Sequence, residues 1–299
     1  MKKLLLTGGT GFLGIHVKPL LEKQYSVTTC GVSSGNDIQC DLSVANPKLD
    51  HQYDIVVHAA GKAHVIPKSE EENKVFFDVN YQGTVNLCRA LELTGTPETF
   101  VFISTIAVYG LVEGTNVDES HPLQGISPYA KSKIMSEEFL SRWCSDQGVN
   151  LCILRPPLLV GDNPPGNLGS MIYGIRNGKY LSIAGSKAQK SVLMAEDIGR
   201  LIPLLEGKRG VYNVCDDVQP SVRQMEIIIS KQLGKSKPII IPYWLAKCLA
   251  LIGDLFGIKT LINSNRLSKL TSTLTFSNAK AKKELGWEPM SVIDNFRIW

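Results

Sequence analysis

Short apolar runs alternate with stretches of helical period through the first half of this chain. Runs of strand length occupy residues 3–7, 26–30, 54–60, 100–104 and 150–154, and helical patterns occupy 14–24, 70–93 and 129–147. Strand and helix repeated in this order predict an α/β fold of Rossmann type, a doubly wound parallel sheet. After Arg155 the texture changes. Pro156-Pro157 and Asp162-Asn163-Pro164-Pro165-Gly166 are loop clusters that mark a domain boundary, and a strand-like 211–215 and a helical 221–233 follow. The prediction is a first domain over 1–156 with returning segments near 191–215, and a smaller C-terminal α/β domain from 157–190 and 216–299.

Composition alters this picture in a few places. With 299 residues, 43% of them hydrophobic, the chain can bury one large core or two modest ones. Its net charge of +4 is spread, with no run of five like charges and no basic patch interleaved with aromatics, which argues against a nucleic-acid partner. Seven cysteines without a C-x-x-C pair argue against a disulfide framework or a structural zinc site and fit a reducing cytoplasm. Met1 to Leu6 imitates the start of a signal peptide, but the apolar run stops at Thr7-Gly8-Gly9, so it reads as a strand. The most hydrophobic later stretch, 243–262, carries Lys247, Asp254, Lys259 and two glycines. It is expected to form a buried helix or helix pair rather than a bilayer span, with a peripheral membrane contact as the alternative.

Candidate chemistry begins in the first turn. Thr7-Gly8-Gly9-Thr10-Gly11-Phe12-Leu13-Gly14 follows directly on the first strand. Gly8 permits a tight turn, Gly11 lets backbone approach a pyrophosphate, and Gly14 lets helix and strand pack closely, with the helix N-terminus facing the phosphates. Such turns also close ordinary βα units, so the rest of the chain has to support a dinucleotide. In a doubly wound sheet, ligands sit beyond the carboxyl ends of the strands. Here those ends carry His58-Ala59-Ala60-Gly61 and Ser104-Thr105, and Tyr129 and Lys133 stand four apart on one helical face. Tyr243 and Lys247 share that spacing and read as an ordinary packed tyrosine and exposed lysine.

These residues together resemble the extended short-chain dehydrogenase/reductase family, in its nucleotide-sugar epimerase/dehydratase branch. The resemblance runs through T-G-x-x-G-x-x-G (7–14), Asp41-Leu42, His58-Ala59-Ala60-Gly61, Val79-Asn80-Tyr81-Gln82-Gly83-Thr84, Ser104-Thr105-Ile106-Ala107-Val108-Tyr109-Gly110, Tyr129-Ala130-Lys131-Ser132-Lys133, Arg155-Pro156-Pro157 and Glu284-Leu285-Gly286-Trp287-Glu288-Pro289. It implies a catalytic set of Thr105, Tyr129 and Lys133. Tyr129 would move the proton on the reacting oxygen, which requires its phenol, ordinarily near ~10, to fall by about three units, or ~4 kcal/mol. Lys133 and an oxidised nicotinamide act in that direction, and Thr105 would hold the reacting oxygen. The implied cofactor set is Gly8, Gly11, Phe12, Leu13, Gly14, Ser33, Asp41, Leu42, Ala59, Ala60, Gly61, Asn80 and Pro156, with Tyr129 and Lys133. Asp41 either meets the adenine amine or caps its own loop. Asn80 either bridges backbone near the site or is a satisfied core amide. His58 reads as structural or cofactor-lining, and His64 and His121 have no metal spacing.

At the end of the second strand Gly31-Val32-Ser33-Ser34 has neither a carboxylate to repel a 2′-phosphate nor an arginine to bind one, which leans to NADP over NAD. The resemblance further implies a nucleoside diphosphate sugar as substrate, met by Asn167, Lys190 and Arg266 together with Thr105; the plain alternative for the cations is exposure. Ile106-Ala107, where the family's dehydratases carry an Asp-Glu pair, cannot exchange protons, which argues against a dehydratase. Two enzyme readings stand: a reductase of a nucleotide-linked 4-keto-6-deoxy sugar in surface-polysaccharide synthesis, and a 4-epimerase with retained NAD. Gly31, and Leu158 where galactose epimerases show an asparagine, favour the reductase. A non-catalytic dinucleotide sensor is the reading from another class. Related enzymes often dimerise through the helices at 70–93 and 129–147.

Overall fold

Strand β1 (Lys3–Thr7) buries Leu4, Leu5 and Leu6 alike, so both of its faces are covered, as a central parallel strand requires. The computed structural model, which describes residues 1–63, 65, 67–184, 187–255 and 263–298, places it inside a seven-stranded sheet, two strands from one edge. After β1 come α1 (Phe12–Leu21), β2 (Ser26–Gly31), β3 (Ile38–Gln39) and β4 (Ile55–His58). Helix α2 (Glu70–Phe76) continues through a π-helical turn, Phe77–Gln82, into α3 (Gly83–Thr94). Then follow β5 (Thr99–Ile103), β6 (Gly114–Val117), α4 (Pro128–Gln147), β7 (Asn150–Arg155), β8 (Leu158–Val160), α5 (Gly166–Arg176), β9 (Leu181–Ile183), β10 (Val192–Met194), α6 (Ala195–Leu201) and β11 (Gly210–Asn213). The chain closes with α7 (Val222–Gln232), β12 (Ile239–Ile241), α8 (Tyr243–Leu255), α9 (Ser264–Thr271), β13 (Leu274–Phe276), α10 (Ala279–Leu285) and α11 (Val292–Asn295).

The main sheet has the order β11-β7-β5-β4-β1-β2-β3, parallel throughout. Leu4, Leu6, Val57, Val101 and Leu154 face Val17 and Leu21 of α1 and Ile198 and Leu201 of α6. Leu5, Val56, Phe100, Phe102 and Ile153 face Leu87 and Leu91 of α3 and Leu140 and Trp143 of α4. Each such aliphatic side chain contributes about 1.5–3 kcal/mol by leaving water. A separate core joins Leu168, Ile172 and Ile175 of α5 to Met225 and Ile229 of α7 and to Val292 and Phe296. The remaining strands pair in parallel twos, β8 with β10, β9 with β12, and β6 with β13.

Three local expectations are corrected. Helix α1 begins at Phe12 rather than Gly14, because Gly8 alone makes the turn, at φ +74°, and Gly11 is already the extended N-cap. It ends at Leu21, where the amides of Gln24 and Tyr25 both fold onto the Leu21 carbonyl. The single helix expected over 70–93 contains a π turn, since the Asn80 carbonyl receives the hydroxyls of Thr84 (2.6 Å) and Ser136 (3.0 Å). Helix α8 is not a buried helix. It covers Ala246 and Ala250 but leaves Trp244, Leu251 and Ile252 exposed. Among the described residues no helix is long and apolar enough to cross a membrane. His64 and Lys259 lie outside the described residues.

Candidate active site

The strand order reverses between β1 and β4, and the candidate residues gather where those strands and their neighbours end. The glycine turn is tightly seated there. A Cβ on Gly14 would lie 2.2 Å from the Gly8 carbonyl oxygen, and one on Gly8 would lie 2.9 Å from the Ala60 backbone. No side chain at this level can therefore come between the turn and Ala59-Ala60. No side chain caps α1 and its first turn holds no acid. The leading amides at Phe12, Leu13 and Gly14 have no intrahelical partner, and the helix end favours an anion. Leu13 itself packs on the core, and Phe12 stacks near His16 at 4.8 Å.

His58 is fully buried and has partners that the sequence did not reveal. Thr84 gives its only hydroxyl proton to the Asn80 carbonyl, so it must accept from His58 Nε2 at 3.0 Å; Nδ1 then accepts from the Thr7 hydroxyl at 2.7 Å. Thr7 in turn accepts from the Ala60 amide at 3.0 Å. This chain of bonds pins Ala60 to both strand ends and leaves His58 no proton to exchange. Burial, and then the charge of Lys133, push its pKa down to about 3. A depressed folded value below an unfolded ~6.5 means that stability present above that pH is lost as acid is added, at about 1.4 kcal/mol per pH unit down to about 3. Asp197, raised to about 6 chiefly by burial, works oppositely between about 6 and its ordinary 3.8. Urea titrations should therefore show little change from these two groups between pH 6 and 4. In Asp197→Asn the slope of His58 should emerge, and its absence would disprove the assignment.

Asn80, on the π turn, meets both of its expected descriptions. Its Oδ1 accepts from the Lys62 amide (2.7 Å), and Nδ2 donates to the Lys62 carbonyl (3.2 Å) and to Ser132 Oγ (2.9 Å). Gly61 lies alongside, where a Cβ would be 3.1 Å from Asn80 Oδ1 and 3.4 Å from Lys133 Nζ. Lys133 is buried on α4, donates to the Ile103 carbonyl at 2.8 Å and sits 4.5 Å above the Phe102 ring. Burial lowers its pKa to about 8, with Glu137 opposing, so it remains a cation at neutral pH. Tyr129, one turn earlier and half-buried, hydrogen-bonds with Thr105. Thr105 also caps the short turn Ile106–Tyr109 by accepting from the Ala107 amide at 3.2 Å. Burial raises the Tyr129 phenol above its ordinary 10, while the Thr105 bond pulls it down. The expected lowering by Lys133 is absent from this arrangement, since the ammonium is directed at Ile103. The buried Pro156 fixes the same corner by accepting from the Ile106 amide at 3.1 Å.

Beneath these residues lies a cluster that sequence reasoning missed. Glu137, one turn beyond Lys133, takes both Nη2 (2.6 Å) and Nε (3.1 Å) of Arg155, and Ser104 Oγ donates to it. Arg155 Nη1 donates to the Tyr109 hydroxyl (3.0 Å), which donates to Asn213 Oδ1 (2.7 Å). All of these side chains are buried.

At the end of β2, Ser33 donates to Thr10 Oγ1 (2.9 Å), and Asn36 Nδ2 reaches the Ser33 carbonyl and hydroxyl (3.0 and 3.1 Å). The nearby Asp37 faces away, taking the Thr29 amide (2.8 Å) and hydroxyl (2.7 Å). Asp41 caps its own loop through Ser43 N (2.9 Å) and Oγ (2.7 Å), and buried Leu42 supports Gly83. Among the substrate candidates, Lys190 is brought to α9, where burial and then the charge of Lys269 lower its pKa. Arg266 precedes Lys269 by one turn of that helix. Asn167 stands apart and exposed in the first turn of α5. All seven cysteines are unpaired.

The chain resembles known proteins over nearly its whole length. The N-acetyl-alpha-D-glucosaminyl-diphospho-ditrans,octacis-undecaprenol 4-epimerase of Escherichia coli O157:H7 is 26% identical over 300 residues, covering 93% of this chain and 88% of that protein. The GDP-6-deoxy-D-mannose reductase of Pseudomonas aeruginosa is 27% identical over 243 residues, covering 75% and 78%. UDP-glucose 4-epimerases are also among the relatives. In fold the chain is similar to the UDP-glucose 4-epimerase of Thermotoga maritima solved with UDP-glucose, at a TM-score of 0.75 and 21% identity over 98% of this chain and 95% of that one. The model of the NAD dependent epimerase/dehydratase family matches residues 4–215, a span that holds the glycine turn, Thr105, Tyr129 and Lys133, and the chain belongs to that family of NAD(P)-dependent enzymes.

Proposed function

We propose that the chain is an NADPH-dependent reductase of the 4-keto group of a nucleotide-linked 6-deoxy sugar, acting in surface-polysaccharide synthesis. The observation that carries this reading is the neutral cluster of Thr10, Ser33 and Asn36 at the end of β2, with Asp37 turned to Thr29. A carboxylate aimed at the ribose would select NAD and repel a 2′-phosphate. Hydroxyls and a side-chain amide can donate hydrogen bonds to the phosphate oxygens, and NADPH suits an enzyme that consumes its reductant rather than retaining it.

The seating of the glycine turn fits a dinucleotide, because Gly8 and Gly14, lacking Cβ atoms, let the turn pack directly on the Ala60 backbone and on the start of α1, which leaves the free amides of 12–14 to meet a pyrophosphate. A bound nicotinamide supplies the hydride. Tyr129 gives its proton to the sugar O4 as the hydride arrives, and its raised pKa keeps the phenol protonated for that donation. Thr105 holds the same oxygen. Lys133, whose ammonium lies beside Gly61 and Asn80, would be the group to hold the cofactor ribose and to favour the Tyr129 phenolate once the cofactor is bound. Lys190, Arg266 and Lys269 offer cations to the diphosphate, with Asn167 at the sugar end. Residues 1–156 and 191–215 form the dinucleotide domain, and 157–190 and 216–299 the sugar domain. The unpaired cysteines suit the cytoplasm, and the helices over 70–94 and 128–147 suit a homodimer.

Purified chain should consume NADPH stoichiometrically with one of the UDP-, dTDP- or GDP-linked 4-keto-6-deoxy sugars, followed by nicotinamide absorbance. No consumption with any of them rejects the reductase. Ser33→Asp should raise the KM for NADPH about tenfold or more, ~1.4 kcal/mol, and narrow its advantage over NADH. An unchanged ratio would remove this cluster from cofactor choice. A second reading, 4-epimerisation with retained NAD, is favoured by the epimerases among the relatives, one of which is named for a sugar on undecaprenyl diphosphate.

A further inference from the structure

Helix α8 has three sides. Ala246 and Ala250 pack into a small core with Ile241 and Leu267. Tyr243, Lys247 and Asp254 form a polar side, on which Asp254 is engaged by the amide (3.1 Å) and hydroxyl (2.5 Å) of Ser264. The third side, at spacing i, i+4, i+7, i+8, is Trp244, Cys248, Leu251 and Ile252, with Trp244 66%, Leu251 54% and Ile252 51% exposed. The strand leading into the helix adds Ile239 and Ile240, 71% and 53% exposed, and Lys235, Lys237 and Lys247 are exposed around them. An apolar stripe of this extent, opened by a tryptophan with Tyr243 beside it, is unusual on a water-facing helix. Three lysines against one carboxylate already held by a serine give the face a positive rim.

We propose that the outer side of β12 and α8 is a docking face for an anionic lipid surface. The stripe enters the acyl boundary, Tyr243 and Trp244 sit at headgroup level, and the lysines meet lipid phosphates. The helix has 13 residues, too few to span a bilayer, so it lies in the interface plane. The proposal does not depend on which reaction the site performs, and its failure would leave the reductase reading standing.

The test is flotation of the full chain with vesicles of phosphatidylglycerol and phosphatidylcholine in equal parts, beside vesicles of phosphatidylcholine alone. The chain should float with the anionic vesicles, less so at high salt, and the double variant Trp244→Glu, Leu251→Glu should lose at least tenfold of the bound fraction while still binding NADPH. Brominated lipid should quench the fluorescence of the unaltered chain, and Trp244→Phe should float yet lose most of that quenching; this arm needs no charged substitution to fold. Failure to float, equal flotation with both vesicles, or dimerisation through this face without vesicle binding would each overturn the proposal, the last in favour of a second copy as its occupant.

Discussion

Tyr129→Phe is expected to lower turnover about 10²- to 10⁴-fold, the range over which a positioned acid acts, while NADPH binding stays within about twofold. The substitution removes one hydroxyl that Thr105 contacts and leaves the ring in place near Phe76, at a 6.3 Å centroid distance, so the fold has no reason to change. Isothermal titration of NADPH and a turnover assay on the same preparation check both halves. Unchanged turnover would make another group the acid and would revive the reading of a dinucleotide sensor.

The largest loss of stability is expected from Glu137→Ala. It would leave the Arg155 guanidinium buried without its carboxylate, at a cost of about 3–5 kcal/mol. Replacing both partners by apolar residues of similar size, Glu137→Leu with Arg155→Met, should cost much less than either single change, because a buried ion pair contributes little beyond its own desolvation. Urea unfolding of the two singles and the double forms the cycle. Additive losses would show that the pair is not the coupled unit that its 2.6 and 3.1 Å bonds indicate. Glu137 also opposes the downward shift of Lys133, so the milder Glu137→Gln should lower the alkaline limb of activity below about 8.

What the sequence discloses here is what is local. The glycine turn, the strand lengths and the Tyr129–Lys133 pair are readable because their parts lie within eight residues and their geometry follows from helix or strand period. His58 could not be assigned partners, since Thr7 and Thr84 are 51 and 26 residues away; Thr7 meets it only once β1 and β4 pair, and Thr84 only once α3 packs on the sheet. Glu137 was invisible for another reason: a lysine and a glutamate four apart on a helix ordinarily form a solvated pair, and only the sheet reveals that this glutamate faces Arg155 instead. The π turn at 77–82 leaves the apolar period of the segment intact, and its cause, hydroxyls on the Asn80 carbonyl, comes partly from α4. Helix α8 misled in the opposite direction. Its hydrophobicity predicted burial, but among the described residues the neighbours it would need are present on one side only.

Net hydride transfer to C4 of the sugar is reported directly by deuterium. The chain would be incubated with NADPH deuterated at the transferred nicotinamide C4 position and with a nucleotide-linked 4-keto-6-deoxy sugar, and the product read by mass and proton spectra. A reductase places one deuterium per sugar, at C4, with an equal amount of NADP formed. A C4-inverted finished nucleotide sugar produced without net cofactor loss, beside an unreduced keto sugar, would contradict it and establish the epimerase.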